Sequence, residues 1–219
     1  CFQVNYLSTV LLTSLMLERI ERSDAGRIVH ISAKAHDWGK VSAEAIRTDK
    51  MLSPDFVARQ SMFMGNLGGS YADSKLAQIM FSAALARRLR NGTVSLSLHP
   101  AINTQTMLTR DFKMNPVLDF AFKRVAGFIL RGVGFFQSDE DAPKTQIHVS
   151  THPSLQAAGV SGRYFSPLYP PIRNCGKSAQ DCAVSPVSAT AQDEALQEAL
   201  FAASCEALGL SDGLCSPTR

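Results

Sequence analysis

Two short strand-like runs separated by a long helical pattern constrain this chain more than any other feature. Arg27-Ile28-Val29-His30-Ile31-Ser32 and residues 93–98 each read as a buried strand. Between them, Leu76, Ile79, Met80, Ala83, Leu85 and Leu89 recur at helical spacing over residues 71–90. A connection of that length, with a helix inside it, suits two parallel strands joined by a crossover.

The flanking segments continue the alternation. Leu7, Val10, Leu11, Ser14, Leu15 and Met16 describe a helix with one buried face, and Asp24-Ala25-Gly26 turns the chain into the first strand. Residues 34–70 are expected to be irregular, ending in Gly65, Gly68 and Gly69. Asn91-Gly92 stops the second helix, and Arg87, Arg88 and Arg90 suit its C-terminal end. Asn91-Gly92-Thr93 also matches a glycosylation acceptor, but an Asn-Gly turn is the simpler reading. A further helix is expected near 141–150 and a last strand at Gly162-Arg163-Tyr164-Phe165. Pro167, Pro170 and Pro171 then mark a loop, and Thr190-x-x-Asp193 resembles a capping box opening a helix that stops at Gly209. This order gives an α/β fold with a parallel sheet. Residues 1–219 are read as one domain, with its core in 1–166 and a loop and terminal helix in 167–219.

Composition excludes several classes. The chain is 219 residues long and 45% hydrophobic, enough for a core and too much for disorder. A net charge of +3, scattered along the chain, gives no footprint for a nucleic acid. The five cysteines lack CxxC spacing, which argues against a zinc site and a disulfide framework and makes a reducing compartment the default. The apolar stretch 10–17 is too short to span a bilayer. Leu118, Ala121, Phe122, Val125, Phe128, Ile129, Val133 and Phe136 form a stripe with Lys123, Arg124 and Arg131 off it. Such a stripe suits a lid over an apolar substrate, core packing, or a helix lying on a membrane surface.

Tyr71-Ala72-Asp73-Ser74-Lys75 carries the chemistry. Positions four apart share a helix face, so a phenol and an ammonium lie side by side. A neighbouring cation favours the phenolate, so the Tyr71 pKa is expected to fall. The pair would then exchange a proton with a substrate oxygen, as carbonyl reduction or alcohol oxidation requires. Alone the motif is weak. Its place, at the start of a helix between strands ending in Ser32 and in His99-Pro100, strengthens it, because open α/β sheets bind ligands at the carboxyl ends of their strands.

With these stretches in place, the chain resembles the short-chain dehydrogenase/reductases, on the branch of the retinol dehydrogenases and the WW-domain oxidoreductase. The likeness is carried by Phe2-Gln3-Val4-Asn5-Tyr6-Leu7, by the strand ending in Ser32, by the helix from Tyr71 to Leu89, and by Gly159-Val160-Ser161-Gly162-Arg163-Tyr164-Phe165. It covers residues 2–166. It implies a Rossmann-like, doubly wound parallel sheet and a nicotinamide cofactor, NADP by family habit or NAD. It implies that Tyr71 is the proton donor or acceptor, that Lys75 tunes it and bonds the nicotinamide ribose, and that Asn5 holds a water of the proton relay. Pro100, Ala101 and Ile102 would line the nicotinamide. His99 reads as a packing residue at a strand end. A homodimer through the tyrosine helix and its predecessor is a further implication.

The chain departs from the family pattern in several places. The catalytic serine is expected as the second of a Ser-Ser pair, but the pair reads Ser32-Ala33. Either the strand end bulges to bring Ser32 round, or the substrate oxygen loses a hydrogen bond, worth roughly 10²–10³ in rate. The Pro-Gly pair is Pro100-Ala101, and Gln105 stands where a threonine is usual. The chain opens at Cys1 in mid-pattern, which reads as a truncated chain. The glycine-rich turn that cradles the cofactor's phosphates has no match; Gly65-Asn66-Leu67-Gly68-Gly69 lies in the wrong place. The expected activity is therefore hydride transfer between nicotinamide and a small lipophilic alcohol or carbonyl, with the N-terminal, cofactor-binding half of the sheet missing. The alternative is an impaired member that senses cofactor or docks partners. The expected site is cytoplasmic or membrane-associated.

Overall fold

The structure, a computed structural model, describes residues 1–47, 69–100, 143–167, 184–211 and 213–215. Three parallel strands form one sheet in the order β1 (Arg27–Ile31), β2 (Val94–Leu98), β3 (Arg163–Phe165). Arg27 pairs with Val94 and Ile31 with Leu98; Leu96 pairs with Arg163 and Leu98 with Phe165. Each strand starts and ends close to its expected bounds, because short β-branched and aromatic runs between turn residues leave little choice. Every residue of β2 is buried, as a central parallel strand demands.

Helices cover both faces. On one lie α1 (Ser8–Glu21), α3 (Ser70–Ala86) and α7 (Glu194–Ala207), sharing a core of Phe2, Tyr6, Leu76, Phe81, Leu200 and Phe201. Phe81 and Phe201 stack at 5.6 Å, and Arg88 lies 4.1 Å over the Phe201 ring while pairing with Glu198. On the other face α4 (Lys144–Thr151) and α5 (Pro153–Ala157) bring Val149 and Leu155 onto Leu96, Leu98 and Phe165. Arg27 ties that layer down by donating to Val149 O at 2.8 Å and His152 O at 2.9 Å, carbonyls at the end of α4. This is the doubly wound arrangement, with β1 at one edge of the sheet among the described residues.

Three expectations are corrected, and one element is added. Residues 34–47 are not irregular: a 3₁₀ turn (Lys34–Trp38) and α2 (Ala43–Arg47) occupy most of them. The last helix is broken in two. Ser188 caps α6 (Ala189–Gln192), and the carboxylate of Asp193 caps α7 by accepting from Leu196 N at 2.9 Å, so Asp193 is a cap itself and not the far half of a capping box. A π-helical turn (Gln3–Leu7) precedes α1. Cys205 and Cys215 are joined by a disulfide, contrary to the expectation from the cysteine count. Gly209, at φ 64°, reverses the chain after α7 and returns it to that helix end. The turn reading of Asn91-Gly92 holds: both residues have positive φ, and the Asn91 amide donates to Glu21 O at 3.0 Å. The amphipathic stripe 118–136 and the segment 48–68 lie outside the described residues.

Candidate active site

The carboxyl ends of β1 and β2 lie side by side. Ser32 N continues the ladder to Leu98 O at 2.7 Å, and His99 N bonds Phe165 O at 2.8 Å. From β1 the chain passes through Ala33 into the 3₁₀ turn, which packs against the start of α3. Gly39 allows this closeness: a Cβ there would stand 2.6 Å from Ala72 O and 2.8 Å from Leu76 Cβ. Gly69, at φ 53° and ψ −130°, turns the chain into α3 so that Tyr71 falls in its first turn.

Tyr71 is half-buried against Ala33, Ala35 and Ala72. The alanine that replaces the expected serine therefore belongs to the cluster against which the tyrosine packs. Ser32 does not swing round to replace it. Its hydroxyl is buried and donates to Lys75 O at 2.7 Å, and β1 runs regularly into it. Of the two alternatives posed by Ser32-Ala33, the geometry is that of a missing hydroxyl at position 33.

Lys75 lies one turn beyond Tyr71, with Nζ 5.6 Å from the phenol ring's centroid. The ammonium donates to Ile31 O at 2.8 Å and to Gln78 Oε1 at 3.2 Å. Burial pulls its pKa down from 10.5 to about 8. The same cause acts on Tyr71, whose phenol is pushed above its ordinary value. The expected lowering by Lys75 is therefore corrected. Desolvation of the half-buried phenol outweighs a cation that is itself weakened by burial and bonded to Ile31 and Gln78. No hydrogen-bond partner holds the phenol oxygen among the described residues.

Asn5 reaches the same helix face from the π turn. Its side-chain amide donates to Ser74 Oγ at 3.1 Å, and that hydroxyl donates to Tyr71 O at 2.7 Å. Its backbone carbonyl accepts from Gln78 Nε2 at 2.6 Å and Thr9 Oγ1 at 3.0 Å. The structure thus brings Asn5, Tyr71 and Lys75 together, and Pro100 follows two residues after the end of β2. Ala101 and Ile102 lie outside the described residues. Sequence reasoning missed Ser74 and Gln78. The signal was available, since positions 71, 74, 75 and 78 follow helical spacing along one face.

Two buried imidazoles back the site. His99 is 5% exposed, both its ring nitrogens lack partners among the described residues, and burial, with the charges of Lys34 and Lys75 near it, lowers its pKa to about 4. It is a neutral packing ring, as expected. His36 is fully buried, with Nδ1 bonded to Ala33 O at 2.8 Å and its ring edge-on to Tyr164 at 5.0 Å. A carbonyl only accepts, so Nδ1 carries the proton and fixes the backbone of Ala33 beside Tyr71.

No family model matches the chain. Individual proteins do. Human "Retinol dehydrogenase 11" is 30% identical over 208 residues, 94% of this chain and 53% of that protein. Mouse "Retinol dehydrogenase 14" is 33% identical over 165 residues, 75% of this chain and 43% of that protein. Mouse "Retinol dehydrogenase 13" is 31% identical along the whole chain, 56% of its own length. The chain spans about half the length of these relatives. The crystal structure of an uncharacterized protein from Mycobacterium Paratuberculosis superposes with a TM-score of 0.54 at 21% identity, covering 94% of this chain and 57% of that one, and shares its fold. Over the residues it has, the chain is homologous to the retinol dehydrogenases and belongs with them to the short-chain dehydrogenase/reductase family.

Proposed function

We propose that this chain carries the proton-handling half of an oxidoreductase that transfers hydride between NADP, or NAD, and a lipophilic alcohol or carbonyl. The observation that supports it is the convergence of Tyr71, Lys75 and Asn5 at the carboxyl ends of parallel strands, with the phenol oxygen unpartnered among the described residues.

The residues fit the nicotinamide end of such a cofactor. Lys75 uses two of its three N–H groups on Ile31 and Gln78, which leaves one for a ribose hydroxyl. Pro100 stands at the end of β2 to line the ring, with Ala101 and Ile102 next in sequence. When bound, nicotinamide supplies or accepts the hydride at the substrate carbon. Tyr71 Oη then gives a proton to the substrate oxygen in reduction, or takes it in oxidation. Lys75 holds a positive charge near that phenol while the proton moves. The glycine-rich turn for the phosphates has no counterpart in this sequence, so holding a whole dinucleotide needs residues beyond these.

A lipophilic substrate is supported by the apolar stripe 118–136 in the sequence and by the relatives' printed names. The same basic stripe supports peripheral contact with a membrane; among the described residues no helix is long and apolar enough to cross one. Ala33 beside Tyr71 favours a second reading, an impaired member that binds cofactor or partners without efficient turnover. Both readings are tested in protein containing the glycine-rich turn, with NADPH and retinaldehyde. Tyr71→Phe is expected to lower kcat about 10²–10⁴-fold. Unchanged turnover in that variant refutes the mechanism. A wild-type rate indistinguishable from the blank favours the second reading.

A further inference from the structure

In the π turn (Gln3–Leu7) the helical hydrogen-bond ladder slips by one residue, and the Asn5 backbone carbonyl accepts from two side-chain donors. One of them is Gln78, only 6% exposed, whose Nε2 lies 2.6 Å from Asn5 O. The other end of the same carboxamide, Oε1, accepts from Lys75 Nζ at 3.2 Å. A single side chain therefore spans the gap between the Asn5 carbonyl and the Lys75 ammonium. Asn5 is the residue that the family resemblance would have hold a relay water.

We infer that Gln78 is a positioning residue of this site, clamping Lys75 to the Asn5 backbone carbonyl and linking the two directly, without a water between them. The inference rests on reading Tyr71 and Lys75 as the reacting pair. A water can accept one proton and release another, but a carboxamide does not do so near neutral pH. Lys75 then acts through its charge and its hydrogen bonds, and the path from Lys75 to Asn5 is closed to protons. The assignment of oxygen and nitrogen is fixed by the partners, since an ammonium only donates and a carbonyl only accepts.

The titratable groups around Lys75 are few. Tyr71 shares its helix, and His99 at the end of β2 feels its charge. On the 3₁₀ turn, Lys34 pairs with Asp37, whose other oxygen is 3.1 Å from His36 Nε2. Among these described groups no carboxylate is bonded to Lys75.

The test reads the Lys75 amine directly, by competitive amine labelling and mass spectrometry, with neither cofactor nor substrate present. In the wild type the midpoint is expected near pH 8. Gln78→Glu puts a carboxylate at Oε1 and is expected to raise the midpoint by a unit or more, at least about a fivefold fall in free amine at pH 8. An unmoved midpoint overturns the inference. Should that variant fail to fold, the ¹⁵N-labelled wild type decides. The Gln78 side-chain amide signals are expected to shift between pH 7 and 9 with the Lys75 midpoint, and signals that stay still overturn it. Absence of turnover would sink the oxidoreductase reading and leave this contact standing; turnover with an unmoved midpoint would do the reverse.

Discussion

Restoring a hydroxyl at position 33 is the perturbation with the largest expected effect. Ala33 is 8% exposed, packs with Tyr71, and has an extended backbone (φ −153°, ψ 159°) that serine adopts without strain. His36 Nδ1 holds its carbonyl in place, so the new hydroxyl enters a fixed frame beside the tyrosine. A donor aimed at a developing oxyanion is worth about 10²–10³ in kcat, roughly 2.7–4 kcal/mol of barrier. Without substrate the buried hydroxyl lacks a partner and costs about 1–3 kcal/mol of stability. Ala33→Ser is thus expected to raise kcat for retinaldehyde reduction by about two orders of magnitude while lowering Tm by several degrees. The assay is single-turnover NADPH oxidation, in protein containing the glycine-rich turn, beside a thermal melt. A Tm drop with less than a threefold rise in kcat would refute the reasoning. It would mean either that the Ala33 methyl is not where the substrate oxygen sits, or that another donor already serves it.

Three further outcomes follow from the packing and the buried groups. Gly39→Ala is expected to cost about 1–3 kcal/mol in urea unfolding, because its methyl would meet Ala72 O and Leu76 Cβ; an unchanged midpoint contradicts the close approach. His30 is buried against Phe81 with both nitrogens unpartnered among the described residues, and burial lowers its pKa from 6.5 to about 4. The unfolded chain then binds more protons between those values, so stability falls with pH from 6.5 towards 4. His30→Leu is expected to remove about 2 kcal/mol of the loss between pH 7 and 5, and equal losses in both proteins would refute this. Reducing the Cys205–Cys215 disulfide is expected to cost about 2–4 kcal/mol, read as a Tm that falls with reductant in the wild type but not in Cys215→Ser.

Much of this arrangement is legible in the sequence because it rests on periodicity. β1 is a β-branched run and β2 alternates apolar residues with serines, each between turns, and α3 repeats its apolar positions over seventeen residues. Tyr71 and Lys75 are legible because their spacing alone puts them on one face. What escapes is what depends on contacts distant in sequence. The π turn at Gln3–Leu7 has no spacing of its own, and its use shows only where Gln78 meets the Asn5 carbonyl. The break at Asp193 was hidden because Thr190-x-x-Asp193 imitates a cap three residues early. The Cys205–Cys215 link depends on a reversal at Gly209 that cysteine spacing does not encode. The direction of the Tyr71 pKa shift escapes the sequence for a related reason. Sequence places the cation beside the phenol but not the alanines that desolvate it.

The most direct test of the central claim follows the hydride and the proton together. Protein containing the glycine-rich turn is given NADPH deuterated at C4 and retinaldehyde, and deuterium in the retinol is measured by mass spectrometry for wild type and Tyr71→Phe. The account predicts deuterium transfer in the wild type, with the rate lowered about 10²–10⁴-fold when the phenol is removed. Equal transfer in the two proteins, or none in a wild type shown to bind NADPH, would contradict it.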